Sequence, residues 1–282
     1  MIKTPPGWGT DVVSRAYHSM TRVGPEWTET AAGMPAVRRI HIADLRWALA
    51  RGMEDFGASR TDLIFLCVIY PLLGLLLARV ASGYGLLPLV FPLASGFALI
   101  GPLAAVGLNE MSRRREQGLS AGLADAFSVF RSPAIGGVLM LGAVLIAMFL
   151  CWLVASSVLY NLTLGPEAPA SVGGFVHDVV FTRAGRLMAL MGIGTGFLLA
   201  VVAMTISVVS FPLLLDRNVS LETAIRTSMT VVMRNPATMA AWGGIIAAGL
   251  VIGSIPLLLG LVFVMPVLGH ATWHLYRRAV AR

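Results

Sequence analysis

Residues 134–160 read AIGGVLMLGAVLIAMFLCWLVASSVLY, and they lie in a longer stretch, from Arg131 to Glu167, with no ionised side chain between its ends. A hydrocarbon core about 30 Å thick needs roughly 20 apolar residues per helical crossing, so this stretch reads as one crossing. Working outward, the same absence of charge recurs between Asp62 and Arg79, Arg79 and Glu110, Arg186 and Asp216, and Arg234 and Arg277. These gaps fit one, one, one and two crossings. The expected fold class is all-α: a polytopic membrane protein of about six transmembrane helices, with two interfacial amphipathic helices between crossings.

The expected crossings are approximately 63–81, 86–108, 134–160, 187–215, 237–255 and 257–276. The last two share one uncharged run, and Ser254-Ile255-Pro256 is the plausible tight turn within it. A single helix of that length would overshoot a bilayer, so two helices are expected. The turn is apolar, and a re-entrant pair is the alternative.

Composition agrees with a lipid environment. The chain has 282 residues, of which 57% are hydrophobic and 12% charged, and its mean hydropathy is +0.80. That surplus of apolar residues exceeds what one water-soluble core of this size can bury. The net charge of +7 comes from basic residues at the edges of apolar segments, where they set topology and meet anionic headgroups. No basic stripe with interleaved aromatics is present, so nucleic acid is excluded as a partner. Lys3 is the only lysine, which reads as codon bias in a GC-rich bacterium. Cys67 and Cys151 both fall inside expected crossings, as small apolar residues rather than a disulfide or a metal pair. No cleavable leader is expected, because residues 1–61 are polar and the first crossing serves as insertion signal.

Residues 1–37, rich in Gly, Pro, Ser and Thr, are expected to form a flexible cytoplasmic tail. Residues 38–61 form an amphipathic juxtamembrane helix, with Ile42, Leu45, Leu49, Met53 and Phe56 as its apolar stripe. Residues 62–276 make the six-helix domain and 277–282 a second cytoplasmic tail. Arginine placement orients the chain. With both termini inside, Arg38, Arg39, Arg46, Arg51, Arg60, Arg113, Arg114, Arg115, Arg131, Arg217, Arg226, Arg234, Arg277, Arg278 and Arg282 are cytoplasmic. Arg183 and Arg186 lie on the other face, with Arg79 able to snorkel from its helix end.

The two main cytoplasmic loops look alike. One passes Gly101-Pro102 and Asn109-Glu110, runs through Leu119-Ser120 to Ala124, and re-enters at Ser132-Pro133. The other passes Phe211-Pro212 and Asp216-Arg217, runs through Val219-Ser220 to Ala224, and re-enters at Asn235-Pro236. Ser120 and Ser220 are expected helix caps, and the prolines suit first turns. An internal duplication and convergence on one loop design both fit this pattern.

On these residues the chain resembles an uncharacterised family of bacterial integral membrane proteins, domain of unknown function 2189. The resemblance rests on Trp47 through Asp55, on Gly96 through Pro102 continuing to Glu110, Arg113, Arg114 and Gly118, and on Ser210 through Arg217. Ala224, Ser228, Asn235, Pro236 and Trp242 extend it, so that it covers about residues 38–277. It implies a polytopic fold in the bacterial cytoplasmic (inner) membrane. It transfers neither a function nor any active-site residue.

Two constellations carry chemistry. His270 and His274 are one helical turn apart and share a face, as zinc or haem ligands do. Metal sites need more ligands, and His18, His41 and His177 are placed elsewhere, so an interfacial pair near Trp273 and Tyr276 is the plainer account. Asn109, Glu110, Arg113, Arg114, Asp216, Arg217, Arg226 and Asn235 would form a cytoplasmic polar cluster if the two loops pack together. Such a cluster could grip a phosphate-bearing headgroup, or simply terminate helices in local pairs. The glycines Gly192, Gly194 and Gly196 lie in an apolar run and read as helix packing, as do Gly249 and Gly253. No catalytic set is found and no cofactor is expected. The reading is a non-enzymatic protein with a scaffold, assembly or envelope-maintenance role. The alternative is a carrier or binder of a lipid or small apolar solute, and the third reading is a metal- or haem-binding membrane protein. Expected partners are the bilayer, anionic lipid headgroups and other membrane proteins. An open cavity with converging basic residues would favour the carrier, a filled bundle the scaffold.

Overall fold

The computed structural model describes residues 34–83, 87–256 and 258–282, with the backbone path alone for 59–71, 73, 77–78, 80–83, 97 and 123. The expectations for residues 1–33, for His18, and for the side chains of Cys67 and Pro71 lie outside the described residues.

Asp44 accepts the backbone N–H of His41 at 2.9 Å, satisfying a free donor at the start of the first helix, α1 (Ile42–Gly83). The expected juxtamembrane helix and first crossing are one continuous helix. Its 42 residues span about 63 Å at 1.5 Å per residue, twice a hydrocarbon core, so about half of it stands outside the membrane. A 3-10 turn at Leu87–Leu89 leads into α2 (Val90–Ala104), and Ala105 separates α2 from α3 (Val106–Glu116) just after Pro102. The first loop holds α4 (Leu123–Ala126) and a 3-10 turn at Phe127–Arg131. Ser120 does not cap α4: Gly122 precedes it, and its N–H donates to Asp125 at 2.9 Å.

The long α5 (Ile135–Thr163) crosses to the far side, where α6 (Val172–Phe181) is capped by Ser171. Helix α7 (Arg183–Ser207) returns, followed by α8 (Ser210–Asp216) after a break at Val208–Val209. Ser220 caps α9 (Leu221–Arg234), accepting the Thr223 N–H at 3.1 Å. Pro236 opens α10 (Pro236–Ser254), and α11 (Leu261–Ala279) runs back beside it. Among the described residues there is no strand beyond an isolated antiparallel bridge between Val37 and Val280.

Four stretches are long and apolar enough to cross a membrane among the described residues: Leu87–Glu116, Ile135–Thr163, Arg183–Asp216 and Pro236–Ser254. Their outward faces bear Leu139, Val144, Leu150, Val154 and Val158 on α5, and Leu190, Ile193, Phe197 and Leu198 on α7, all exposed. Such a belt of exposed aliphatics is what lipid covers.

The dense core lies at one end of the bundle, where both described chain ends meet. Phe211, Leu213, Met239, Trp242, Trp273 and Tyr276 are fully buried there. Helices α1 and α11 run antiparallel along each other: Gly52 faces Val267 and Ala271, and Phe56 meets Phe263 edge-on at 6.0 Å. Because α11 starts at Leu261 while α1 continues from Phe56 to Gly83, the α10–α11 turn falls well short of the far end of α1. Gly253 and Gly260 come together in that turn, where a Cβ on Gly260 would sit 2.7 Å from the Gly253 Cα. The small-residue spacing at Gly249 and Gly253 thus packs α10 on α11. Gly196 packs on Trp152 of α5, with 3.3 Å available to a Cβ.

Candidate functional site

The α1–α11 seam sets up the site. The buried face of α1 is Leu45, Ala48, Gly52 and Asp55, spaced for one side of a helix. Two residues of the expected stripe, Ile42 and Met53, are instead 49% and 57% exposed. Small side chains at positions 48 and 52 allow α11 to approach closely, and that approach buries Asp55 to 6% exposure.

Asp55 is the hub of a four-residue network drawn from three helices. Its Oδ2 accepts the Ser112 hydroxyl of α3 at 2.6 Å and contacts His274 Nε2 at 2.8 Å. Ser112 Oγ also lies 2.8 Å from His270 Nδ1. A hydroxyl has one proton, and an ionised Asp55 takes it. By that count His270 Nδ1 must donate to Ser112, and His274 Nε2 to Asp55. His270 Nε2 is buried with no hydrogen-bond partner of normal geometry among the described residues, and a backbone contact ties the ring to Leu108. Arg115 completes the shell, with Nε 3.4 Å from Asp55 Oδ1. Burial raises the Asp55 carboxyl, but hydrogen bonds from His274 and Ser112 outweigh it and hold the group below its ordinary value.

The network forms the floor of a pocket of about 420 Å³. Six arginines line it: Arg38, Arg51, Arg115, Arg277, Arg278 and Arg282. Three carboxylates, Glu54, Asp55 and Glu116, face them, with Trp47, Ser112 and His274. Arg51 pairs with Glu54 at 2.9 Å. Glu116 takes Arg277 and Arg282, each at 2.9 Å, and the Trp273 indole N–H at 2.9 Å. Arg278 stacks over Trp47 at 4.3 Å and reaches Asp44 at 3.3 Å. Among the described residues Arg38 makes no side-chain ion pair.

The depth of this pocket follows from helix register. The exposed belt on α5 begins at Leu139, and nearby Gly142 abuts Leu103. Gly269 of α11 abuts Ala105 and Leu108. The edge of the apolar belt is therefore level with the start of α3 and with His270. Ser112, His274 and the arginines lie one to two helical turns beyond it, at the depth of lipid headgroups.

The two constellations expected from sequence fare differently. His270 and His274 share a face, and both are buried between helices, at 1% and 9% exposure. Among the described residues no group of three or more His, Cys, Asp or Glu side chains is placed to hold a metal ion. The polar cluster does not form one site. Glu110 is held by Arg113 through two hydrogen bonds of 2.7 and 2.8 Å. Arg114 pairs with Asp125 at 2.9 Å, and exposed Arg226 with Glu222 at 2.7 Å. Asp216 accepts the Tyr276 hydroxyl at 2.5 Å and Arg277 at 3.0 Å, while Arg217 bonds the Ala281 carbonyl. Asn235 is a brace: its Oδ1 accepts the Ile40 N–H at 2.8 Å, and its Nδ2 donates to the Arg38 carbonyl at 3.2 Å. Asn109 is buried, and its Oδ1 lacks a partner among the described residues. Most of these residues are taken up by nearby partners, largely outside the expected cluster, whereas the pocket is built from Asp55, Ser112, His274 and a different set of arginines.

Residues 90–216 match the family described as Predicted integral membrane protein (DUF2189). The match is narrower than the resemblance drawn from 38 to 277, and it includes Ser112, Arg115 and Glu116 but neither Asp55 nor His274. No curated protein and no solved structure matches the chain.

Proposed function

Starting from an integral membrane protein whose residues 90–216 carry that family's pattern, we propose that the chain is a non-enzymatic binder of anionic lipid, holding a headgroup in the arginine-lined pocket on the cytoplasmic side. The observation that carries this reading is the pocket itself. It has about 420 Å³ of space and six guanidiniums against three carboxylates, and it opens at headgroup depth. Guanidinium forks bind oxyanions in a bidentate manner, and a basic recess beside an apolar belt lets the acyl chains stay in the bilayer. A scaffold role would call for a filled face at this position, and the open pocket favours the binder.

The test is native mass spectrometry of the purified full chain after mild solubilisation, with anionic and zwitterionic phospholipids offered together. Anionic lipid is expected to remain bound preferentially, and the preference should shrink as salt rises, since exposed charge is screened within about 8 Å at physiological ionic strength. Equal retention of zwitterionic lipid would overturn the reading. Release of a companion protein from a lipid-free pocket would point to the scaffold role instead.

A further inference from the structure

Helix α6 joins the far ends of two crossings, at the end of the bundle opposite the arginine-lined pocket. Tyr160, in the last turn of α5, meets Phe175 with 6.3 Å between ring centres. Thr182 alone links α6 to α7, and Gly185 of α7 leaves no room for a Cβ against the backbone of Asp178 and Val179. Phe175 and the backbone at Val179 are thus the anchored side of α6, held flush against the helix ends beneath it.

The rest of its surface is divided. Val172, Val176 and Val180 recur at four-residue steps, and each is half exposed or more, so they form one apolar stripe. His177 and Asp178 lie about 100° and 200° further round the helix than Val176, with side chains 67% and 54% exposed. A short helix with one apolar flank and one polar flank suits the plane of a membrane surface. We infer that α6 lies side-on in the headgroup–acyl boundary of the far leaflet, with the valine stripe sunk into lipid and His177 facing water.

Two observations make the occupant of the stripe lipid rather than protein. One is continuity with the apolar belt. Val158 and Leu162 of α5 and Leu187 and Leu190 of α7 lie close to the two anchors, and all four are exposed. Hydrocarbon that covers the belt therefore reaches α6 without a break. The other is scale. A stable protein interface takes about 800 Å² from each partner, and three valines on a helix of ten residues offer a small fraction of that.

The arginines agree with this depth. Arg183 and Arg186 are both exposed at the start of α7. Arg186 Nη1 donates to the Phe181 carbonyl at 3.0 Å, satisfying the last turn of α6, while Arg183 has no ion pair among the described residues. Guanidiniums at the ends of crossings lie where lipid phosphates are.

The experiment is nitroxide accessibility, read by electron paramagnetic resonance on the full chain in vesicles of phosphatidylcholine and phosphatidylglycerol. Cys67 and Cys151 are replaced by alanine, and one cysteine is introduced at a time by Val172→Cys, Val176→Cys, Val180→Cys or His177→Cys. These positions are exposed and outside the core, and Leu190→Cys on the belt of α7 supplies the lipid reference. Oxygen concentrates in hydrocarbon and a nickel chelate in water. The oxygen-to-chelate accessibility ratio at the three valine positions is expected to be several-fold above that of His177→Cys and close to that of Leu190→Cys. Equal ratios at the valine positions and at His177→Cys would place all of α6 in water and overturn the lipid placement. Spin–spin broadening in Val176→Cys that vanishes on dilution with unlabelled chain would assign the stripe to a second copy and overturn it equally.

Discussion

Asp55 concentrates the energetics of the site in one side chain. It accepts from Ser112 and His274 and faces Arg115, so its removal takes the acceptor from two buried donors, Ser112 and His274. Hydrogen bonds to charged groups contribute roughly 1.5–3 kcal/mol each, and breaking a buried pair is strongly destabilising. Asp55→Ala is therefore expected to lose about 3 kcal/mol, read as a lower thermal midpoint in detergent. The pH dependence follows from the lowered carboxyl. Its contribution is fully present above the ordinary carboxylate value of about 4 and fades as pH falls below that through the folded-state value. The wild type should lose stability in this acid window, and Asp55→Asn should lack that component. An identical acid profile in both proteins would remove Asp55 from this role.

At the scale of elements, the seam between α1 and α11 depends on a glycine. A Cβ at position 52 would lie 2.7 Å from the Val267 carbonyl oxygen and 2.8 Å from the Ala271 nitrogen. Both are backbone atoms that cannot rotate aside, so the helices would have to part. Overpacking of this kind costs about 1–3 kcal/mol. Gly52→Ala should lower the thermal midpoint and also weaken anionic-lipid retention, because Asp55 and Trp47 sit on the displaced face. The neighbouring Gly57→Ala, where a Cβ meets nothing within 4 Å, should do neither. The buried face of α1 was hard to read because Ala48 and Gly52 carry little hydrophobic signal. Ile42, Leu49 and Met53 carry more, yet two of them point outward. Periodicity measures how apolar a face is, and close helix approach selects for smallness instead.

For the whole molecule, the α10–α11 turn lies beside the mid-length of its neighbours. Gly101 of α2 faces Met265, and Trp152 of α5 donates to the Pro92 carbonyl at 3.1 Å. The turn at 255–260 therefore sits near the level of residues 148–155 of α5, inside the exposed apolar belt. On this layout the pair is expected to form a re-entrant hairpin rather than two full crossings. Single-cysteine variants in a background lacking Cys67 and Cys151 test the layout with an impermeant thiol reagent. Ser120→Cys and Ser220→Cys should label from one side, His177→Cys from the other, and Leu259→Cys from neither. Labelling of Leu259→Cys from the side of His177→Cys would restore two full crossings.

Membrane residence, helical class and the approximate limits of most crossings were legible from residue order, because an uncharged run long enough to span hydrocarbon is a local, one-dimensional property. So was the Ser220 cap, which acts within three residues. The pocket was not legible. Asp55, Ser112 and His274 are far apart along the chain, and the free energy that joins them exists only once α1, α3 and α11 pack. The arginines named beforehand met nearby carboxylates first, since a short-range ion pair forms wherever the local turn brings the charges together. Which guanidiniums were left without a carboxylate partner was decided by the assembled packing of helices, which neutralises some charges and leaves others facing open space.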